Sequence, residues 1–255
     1  MPGPHIELDS RSPEAVDGRQ IRAVVFQDVR IEYVRRTLES LGLAAAGCRV
    51  LVVGSGRGLL AHGLAGLGFD VVAVDPSATA TAMAQESAER ERLAVVHKTA
   101  SAEELDLGDA VFDVAYYADT FEITARLDRV VELAAGVLRP GGVLMYDTVN
   151  RTPLSRLVYL GAFQGIPMTR IMPPGRYTAK RLRPPAELIE VLGRHGLRNE
   201  DICGFKPKDP RSLLKAARAR RRGEITDEEI PPMVDFALTP DEHPLVTYLG
   251  YARKV

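Results

Sequence analysis

The stretch Val50-Leu51-Val52-Val53-Gly54-Ser55-Gly56-Arg57-Gly58 limits the possible folds more than any other. Its apolar run suits a strand buried on both faces, and residues 59–67 after it read as a helix. Glycines in such a strand-to-helix bend adopt positive φ and let a ligand approach bare backbone. The N-terminus of the helix that follows offers free N–H groups and partial positive charge. The spacing is G-x-G-x-G: Leu59 stands where a dinucleotide loop would carry its third glycine. No G-K-[ST] follows, so the bend is not a P-loop. Asp75 lies 21 residues after Gly54, at the end of a second apolar run, Val71-Val72-Ala73-Val74. An acid there accepts hydrogen bonds from both hydroxyls of a ribose. The plainer alternative is a tight turn followed by a helix-capping acid.

The rest of the chain alternates short strands and helices. Strands are expected at 50–53, 71–74, 94–97, 111–116 and 143–148, with helices at 21–43, 59–67, 78–92 and 127–138. Ser77 caps the third helix, and Arg139-Pro140-Gly141-Gly142 stops the fourth. This order predicts a doubly wound α/β sheet, mostly parallel, with helices on both faces. Prolines 153, 167, 173 and 174 break the rhythm, so about 151–183 reads as an insertion after the fifth strand. A helix over 185–195 and strands over 197–205 and 245–253 follow it, with a polar, basic segment over 206–232 between those strands. The expected organisation is a flexible tail over 1–20 and one domain over 21–255. A net charge of −1 excludes an overall basic nucleic-acid binder. Two cysteines, Cys48 and Cys203, make neither a disulfide framework nor a four-cysteine zinc site. No apolar run spans a bilayer and the first residues are polar, so a cytoplasmic protein is expected.

With Ser101-Ala102-Glu103 after the third strand, Phe112-Asp113-Val114 opening the fourth and Leu138-Arg139-Pro140-Gly141-Gly142 before the fifth, the chain resembles the seven-stranded, Rossmann-like S-adenosylmethionine-dependent methyltransferases of class I. The likeness covers about residues 22–205. It implies S-adenosylmethionine as cofactor, held by Gly54, Ser55, Gly56, Gly58, Asp75, Pro76, Ser101, Ala102 and Glu103. A narrower resemblance, to the ubiquinone-biosynthesis O-methyltransferases, rests on Tyr146-Asp147-Thr148-Val149-Asn150-Arg151, on Arg183-Pro184-Pro185-Ala186-Glu187-Leu188 and on Gly204-Phe205-Lys206-Pro207. It adds Arg30 and Ala118 to the donor site and sets Asn150, Arg151 and Tyr177 near the acceptor. Such enzymes methylate phenolic hydroxyls of polyprenylated catechols or hydroquinols.

Two departures stand out. Val52 replaces the acid that supports the loop from beneath in that family, which would leave a loop N–H without its usual partner. Asp119-Thr120-Phe121-Glu122-Ile123 matches the family's E-x-x-E-H but lacks the histidine. Two carboxylates with waters can still hold Mg²⁺, while the plainer reading makes Asp119 and Glu122 acids at a helix start.

Methyl transfer is an in-line displacement needing alignment at roughly 3–3.5 Å and exclusion of water. A phenol of pKa about 10 also needs a base or a metal. The base candidates are Asp119, Glu122, Tyr117 and Asp147, with Asp119 first because it follows the fourth strand at the sheet's carboxyl edge. None of the five histidines pairs with another at ligand spacing. The apolar insertion over 154–172 reads as a lid on the acceptor, with peripheral membrane contact as the alternative. The basic run Lys215, Arg218, Arg220, Arg221 and Arg222 reads as a solvated helix end rather than an RNA site. The expected activity is O-methylation of a small phenolic, catechol or quinol-like acceptor. A tailoring methyltransferase of secondary metabolism acting on N, C or O, and a donor-binding scaffold without transferase activity, are the rivals.

Overall fold

The structure is a computed structural model that describes residues 5–108 and 111–255. Helix α1 (Gly18–Ser40) precedes five β-strands separated by helices. These are β1 (Arg49–Val53), α2 (Leu59–Gly66), β2 (Asp70–Asp75), α3 (Ala78–Glu91), β3 (Val95–Thr99), β4 (Phe112–Tyr117), α4 (Leu127–Val137) and β5 (Leu138–Val149). The insertion opens on α5 (Pro153–Ser155) and continues as a π-helical stretch, Arg156–Ala162. Then come α6 (Pro185–Arg194), β6 (Leu197–Pro207), α7 (Pro210–Arg221), β7 (Phe236–Thr239) and β8 (Thr247–Lys254).

The strands form one sheet in the order β3-β2-β1-β4-β5-β8-β6-β7. β1 pairs in parallel with both β2 and β4, and β8 runs antiparallel between β5 and β6. The connections leave β1 and β4 in opposite directions, which opens a crevice beyond their carboxyl ends. Alternate residues of β1 feed two cores. Val50 and Val52 pack with α1 and α2, while Leu51 and Val53 pack with α4. Burial on both faces accounts for the unbroken apolar run.

Among the described residues the sheet has eight strands where seven were expected. The extra one, β7, is four residues long and pairs only with β6, so its sequence carries no strand periodicity. Phe236 anchors it, with its ring centroid 5.0 Å from that of Phe26 and 5.9 Å from that of Phe205.

The supposed tail is a strap over residues 5–17. Ile6 bridges Val16, and Ala15 and Val16 are buried. Asp17 caps α1 by accepting from the Arg19 and Gln20 N–H groups, so the helix begins at Gly18 rather than residue 21. Gly18 is required there, because a Cβ would lie 2.7 Å from Met172 Sδ. Arg220 of the basic run is buried, ion-paired to Asp227 at 2.6 Å, and donates to the Pro13 and Ala15 carbonyls. One member of the supposed solvated run therefore ties the strap down. Apolar residues are sparse in the strap, which is why it looks like a tail in sequence.

Candidate active site

Each glycine of the bend answers to its surroundings. Gly54, Gly56 and Gly58 have φ of +77°, +54° and +84°. A Cβ on Gly54 would strike the Ala118 carbonyl, and one on Gly58 would lie 2.6 Å from His62 Nε2. A Cβ on Gly56 would meet only Arg19 Nη2, at 3.8 Å, so this bare backbone faces open space. The loop does not suffer from the acid lost at Val52. Gly54 and Ser55 N–H donate to the Val74 carbonyl at 2.9 and 3.1 Å, and Gly56 N–H donates to Asp75 Oδ2 at 2.8 Å. Val52 itself is fully buried in the core.

Asp75 ends β2 and is fully buried. It accepts from Gly56 N–H, from Ser77 N–H at 2.9 Å and from Arg19, whose Nη2 lies 2.6 Å from Oδ2. Arg19 is held in turn by Asp9 at 2.8 Å, and Arg57 by Asp17 at 2.9 Å. The strap thus lies across the glycine loop. The crevice between them is lined by Arg30, Gly54, Ser55, Gly56, Ala118 and Asp119, and Asp9 and Arg19 narrow it to about 20 Å³. Gly58, Pro76, Ser101, Ala102 and Glu103 stand on the same edge without lining that narrow space. Ser101 caps a short turn containing the other two of that trio, and Glu103 accepts from the Thr124 hydroxyl. Bare backbone, the α2 N-terminus and a buried carboxylate fit an adenosine-bearing donor, provided that Arg19 yields Asp75.

Beside the crevice lies a buried charge cluster. Arg30 Nη2 lies 2.8 Å from Asp147 Oδ2 and 3.0 Å from Asp119 Oδ1. Arg22 pairs with Asp119, lies 3.1 Å from Glu122 Oε1 and donates to the Tyr177 hydroxyl at 2.7 Å. Its guanidinium is packed against the rings of Phe26, Tyr159 and Tyr177, 5.1–5.7 Å from their centroids. Tyr116 donates to Asp147 at 3.0 Å, and Thr148 to Glu122 at 3.0 Å. Asp119 adopts φ +47°, an unusual state for a non-glycine residue and one associated with functional strain. Arg19, Arg22, Phe26 and Arg30 fall at helical spacing on one face of α1, a pattern that could have revealed Arg22 and Arg19 in the sequence.

The cluster alters the order of the candidate bases. Burial favours the neutral acid at Asp119, yet Arg22 and Arg30 outweigh it and hold this carboxyl well below the usual range. Asp119, expected to be the first base, is therefore a weak one. Burial pushes Glu122 up against the pull of Arg22. Burial also pushes Asp147 up to about 7, with Arg30 opposing and Asp119 reinforcing. Tyr117 does not belong to the cluster. It packs against Phe121 in the α4-side core, and Tyr116 faces the acids instead. A one-residue step along a strand reverses the face.

Nor do Asp119 and Glu122 fit a divalent ion. The Arg22 guanidinium already bridges their carboxylates and Ile123 supplies no ligand. Among the described residues no group of three or more potential ligands gathers elsewhere. The structure does pair two histidines that are far apart in sequence, with His62 and His97 Nε2 3.3 Å from each other.

An apolar cavity of about 410 Å³ adjoins the cluster. Phe26, Tyr159, Phe163, Phe205 and Leu213 line it, and Arg22 is among its polar lining residues. Asn150 and Arg151 do not reach it. Asn150 donates to the Pro244 carbonyl at 2.7 Å, and Arg151 donates to the Leu182 and Lys180 carbonyls at 3.0 Å. Asn150 thus ties the end of β5 to the loop before β8, and Arg151 ties the two ends of the insertion together. Tyr177 is buried and touches the site through Arg22.

Residues 51–146 match the family model described as a methyltransferase domain. Ubiquinone biosynthesis O-methyltransferase of Xanthomonas axonopodis pv. citri is 34% identical over 204 residues, covering 78% of this chain and 82% of its own. The enzyme of the same name from Agrobacterium fabrum is 33% identical over 179 residues, covering 68% and 71%. The magnesium protoporphyrin IX methyltransferase of Synechocystis, solved with bound S-adenosylhomocysteine, superposes with a TM-score of 0.61 at 16% identity. That superposition covers 93% of this chain and 86% of the other, and it speaks for the fold alone. The chain belongs to the class I S-adenosylmethionine-dependent methyltransferases, in the family of the ubiquinone biosynthesis O-methyltransferases.

Proposed function

We propose that the protein methylates the hydroxyl of a small phenolic, catechol or quinol-like acceptor carrying an apolar substituent. The carrying observation is the apolar cavity whose buried cation, Arg22, is ion-paired to Asp119 of the donor crevice. S-adenosylmethionine supplies a methyl group already activated on a sulfonium sulfur. Asp75 and the bend from Gly54 to Gly58 hold the nucleoside, with Ser101, Ala102 and Glu103 on its adenine side. Arg30 fixes Asp147 and Asp119 beside the reacting atoms. The cavity walls exclude water and align the acceptor, and alignment is the main demand of this reaction.

The insertion supplies one wall through Leu154, Val158, Tyr159, Phe163 and Ile171, so it acts as a lid. On its outer side Leu157 is 64% exposed and Met168 67% exposed, and contact with a membrane surface is a second role for it. No helix among the described residues is long and apolar enough to cross a membrane. Liposome flotation of wild type and of a Leu157→Asp, Met168→Asp variant separates the two roles, since a pure lid floats in neither.

The test of the acceptor reading is S-adenosylhomocysteine release with catechols and hydroquinols bearing alkyl or prenyl tails, with mass spectrometry of the product. Transfer to oxygen, faster with longer tails, is expected. Transfer only to nitrogen or carbon acceptors would move the protein to tailoring chemistry. Donor binding without any turnover would favour a scaffold.

A further inference from the structure

We infer that Arg22 is the built-in cation of the acceptor site, taking the place between Asp119 and Glu122 that a divalent ion would need and receiving the ionised acceptor oxygen. The inference rests on the phenolic reading above and adds how the phenol is ionised.

Position comes first. Arg22 lines the apolar cavity, Asp119 lines the donor crevice, and the two are ion-paired. The pair therefore stands between the spaces, and a methyl group moving from one to the other passes beside it. The pair's polarity suits that passage. The carboxylate faces the side that takes a sulfonium, and the guanidinium faces the side that takes a phenolate.

The second argument is an unused donor. Arg22 is 3% exposed, and among the described residues its Nε has no hydrogen-bond partner. Buried donors are nearly always satisfied, so this guanidinium keeps hydrogen-bonding capacity beyond its ties to Asp119, Glu122 and Tyr177. Asp119, Glu122, Tyr177 and the flanking rings hold the guanidinium in place, so little reorganisation is needed when charge arrives.

The third argument is charge balance. The groups around Arg22 and Arg30 are Tyr116 from β4, Asp119 and Glu122 after it, Asp147 from β5, and Tyr159 and Tyr177 from the insertion. Burial raises both Asp147 and Glu122 toward their neutral forms, and Arg22 and Arg30 are ion-paired to the acids that stay charged. The two arginines therefore offset most of the negative charge that would repel an entering anion. The acceptor hydroxyl gives its proton to water on binding. Its oxygen lone pair then forms the O–C bond as the C–S bond breaks, the electron pair staying on sulfur in a neutral thioether.

The test uses 4-nitrocatechol as a chromophoric probe, with S-adenosylhomocysteine present and absorbance read against pH. In wild type the ionisation midpoint of the bound probe is expected at least one unit below that of the free probe, with or without EDTA. Arg22→Gln should raise the midpoint by one unit or more, and Arg22→Lys should restore most of the shift. If Arg22→Gln alone does not fold, Arg22→Gln with Glu122→Gln removes one cation together with one anion and should show the same rise. A neutral probe in wild type, an unchanged midpoint in the glutamine variants, or ionisation only with added Mg²⁺ overturns the role of Arg22 and leaves the phenol site standing. Failure of both 4-nitrocatechol and catechol to bind removes the phenolic reading itself, and the inference with it.

Discussion

Donor binding at Asp75 has to break the contact that Arg19 makes there, and the cost can be worked from the bonds. Arg19 Nη2 lies 2.6 Å from Oδ2, while its Nη1 is 3.3 Å from Oδ1, so one of the two bonds is strong. A hydrogen bond to a charged group contributes about 1.5–3 kcal/mol net. Arg19 keeps Asp9 when it leaves, and each ribose hydroxyl that replaces it donates to the charged Asp75 for about 1.5–3 kcal/mol. The ribose bonds form with or without Arg19, so its displacement alone costs about 1.5–3 kcal/mol, a weakening of donor affinity by roughly ten- to 150-fold. Arg19→Met, which keeps most of the side-chain volume, should therefore tighten S-adenosylhomocysteine binding by roughly ten- to 150-fold in calorimetric titration. The unliganded variant should lose about 1–3 kcal/mol of stability, because Asp75 would retain only the Gly56 and Ser77 N–H groups. Weaker donor binding in Arg19→Met would refute the reasoning and make Arg19 a donor contact rather than a competitor.

Two further expectations concern the loop and its neighbours. Gly58→Ala puts a Cβ 2.6 Å from His62 Nε2 at φ +84°, which should cost about 2–3 kcal/mol and lower the melting temperature by roughly 5 °C in a thermal scan. An unchanged melting temperature would show that His62 yields freely. Burial and the neighbouring His62 push His97 down to about 4, so the folded state binds fewer protons than the unfolded state between pH 4 and 6.5. The stability this pair contributes is full above pH 6.5 and is lost as pH falls toward 4. Water at this half-buried site reduces the effect to about 1–2 kcal/mol. Denaturant unfolding at pH 7.5 and 5 should show that difference shrink in His97→Gln, and an equal loss in both proteins would place the acid sensitivity elsewhere.

The parallel half of the fold was legible because it obeys local rules. A strand buried on both faces shows as an apolar run, and a helix stop shows as Arg139-Pro140-Gly141-Gly142. Gly54, Gly56, Gly58 and Asp75 were legible for the same reason, since each conformation or contact is set within a few residues or by the β1–β2 register. The charge cluster was only half legible. Asp119, Glu122 and Asp147 were visible as acids, but their acidities depend on Arg22 and Arg30, about a hundred residues away on α1. Tyr116 and Tyr117 are indistinguishable without the strand's facing, and only Tyr116 meets an acid. Strand β7 and the strap were hidden because they are held by particular contacts, such as Phe236 on Phe26 and Arg220 on Ala15, rather than by periodicity.

Titration calorimetry of S-adenosylhomocysteine against wild type and Asp75→Ala goes to the root of this account. Micromolar or tighter binding to wild type, weakened at least about tenfold by the substitution while Asp119→Ala leaves it nearly unchanged, is the predicted outcome. Equal affinity in wild type and Asp75→Ala would contradict the placement of the donor on the glycine bend and its buried acid.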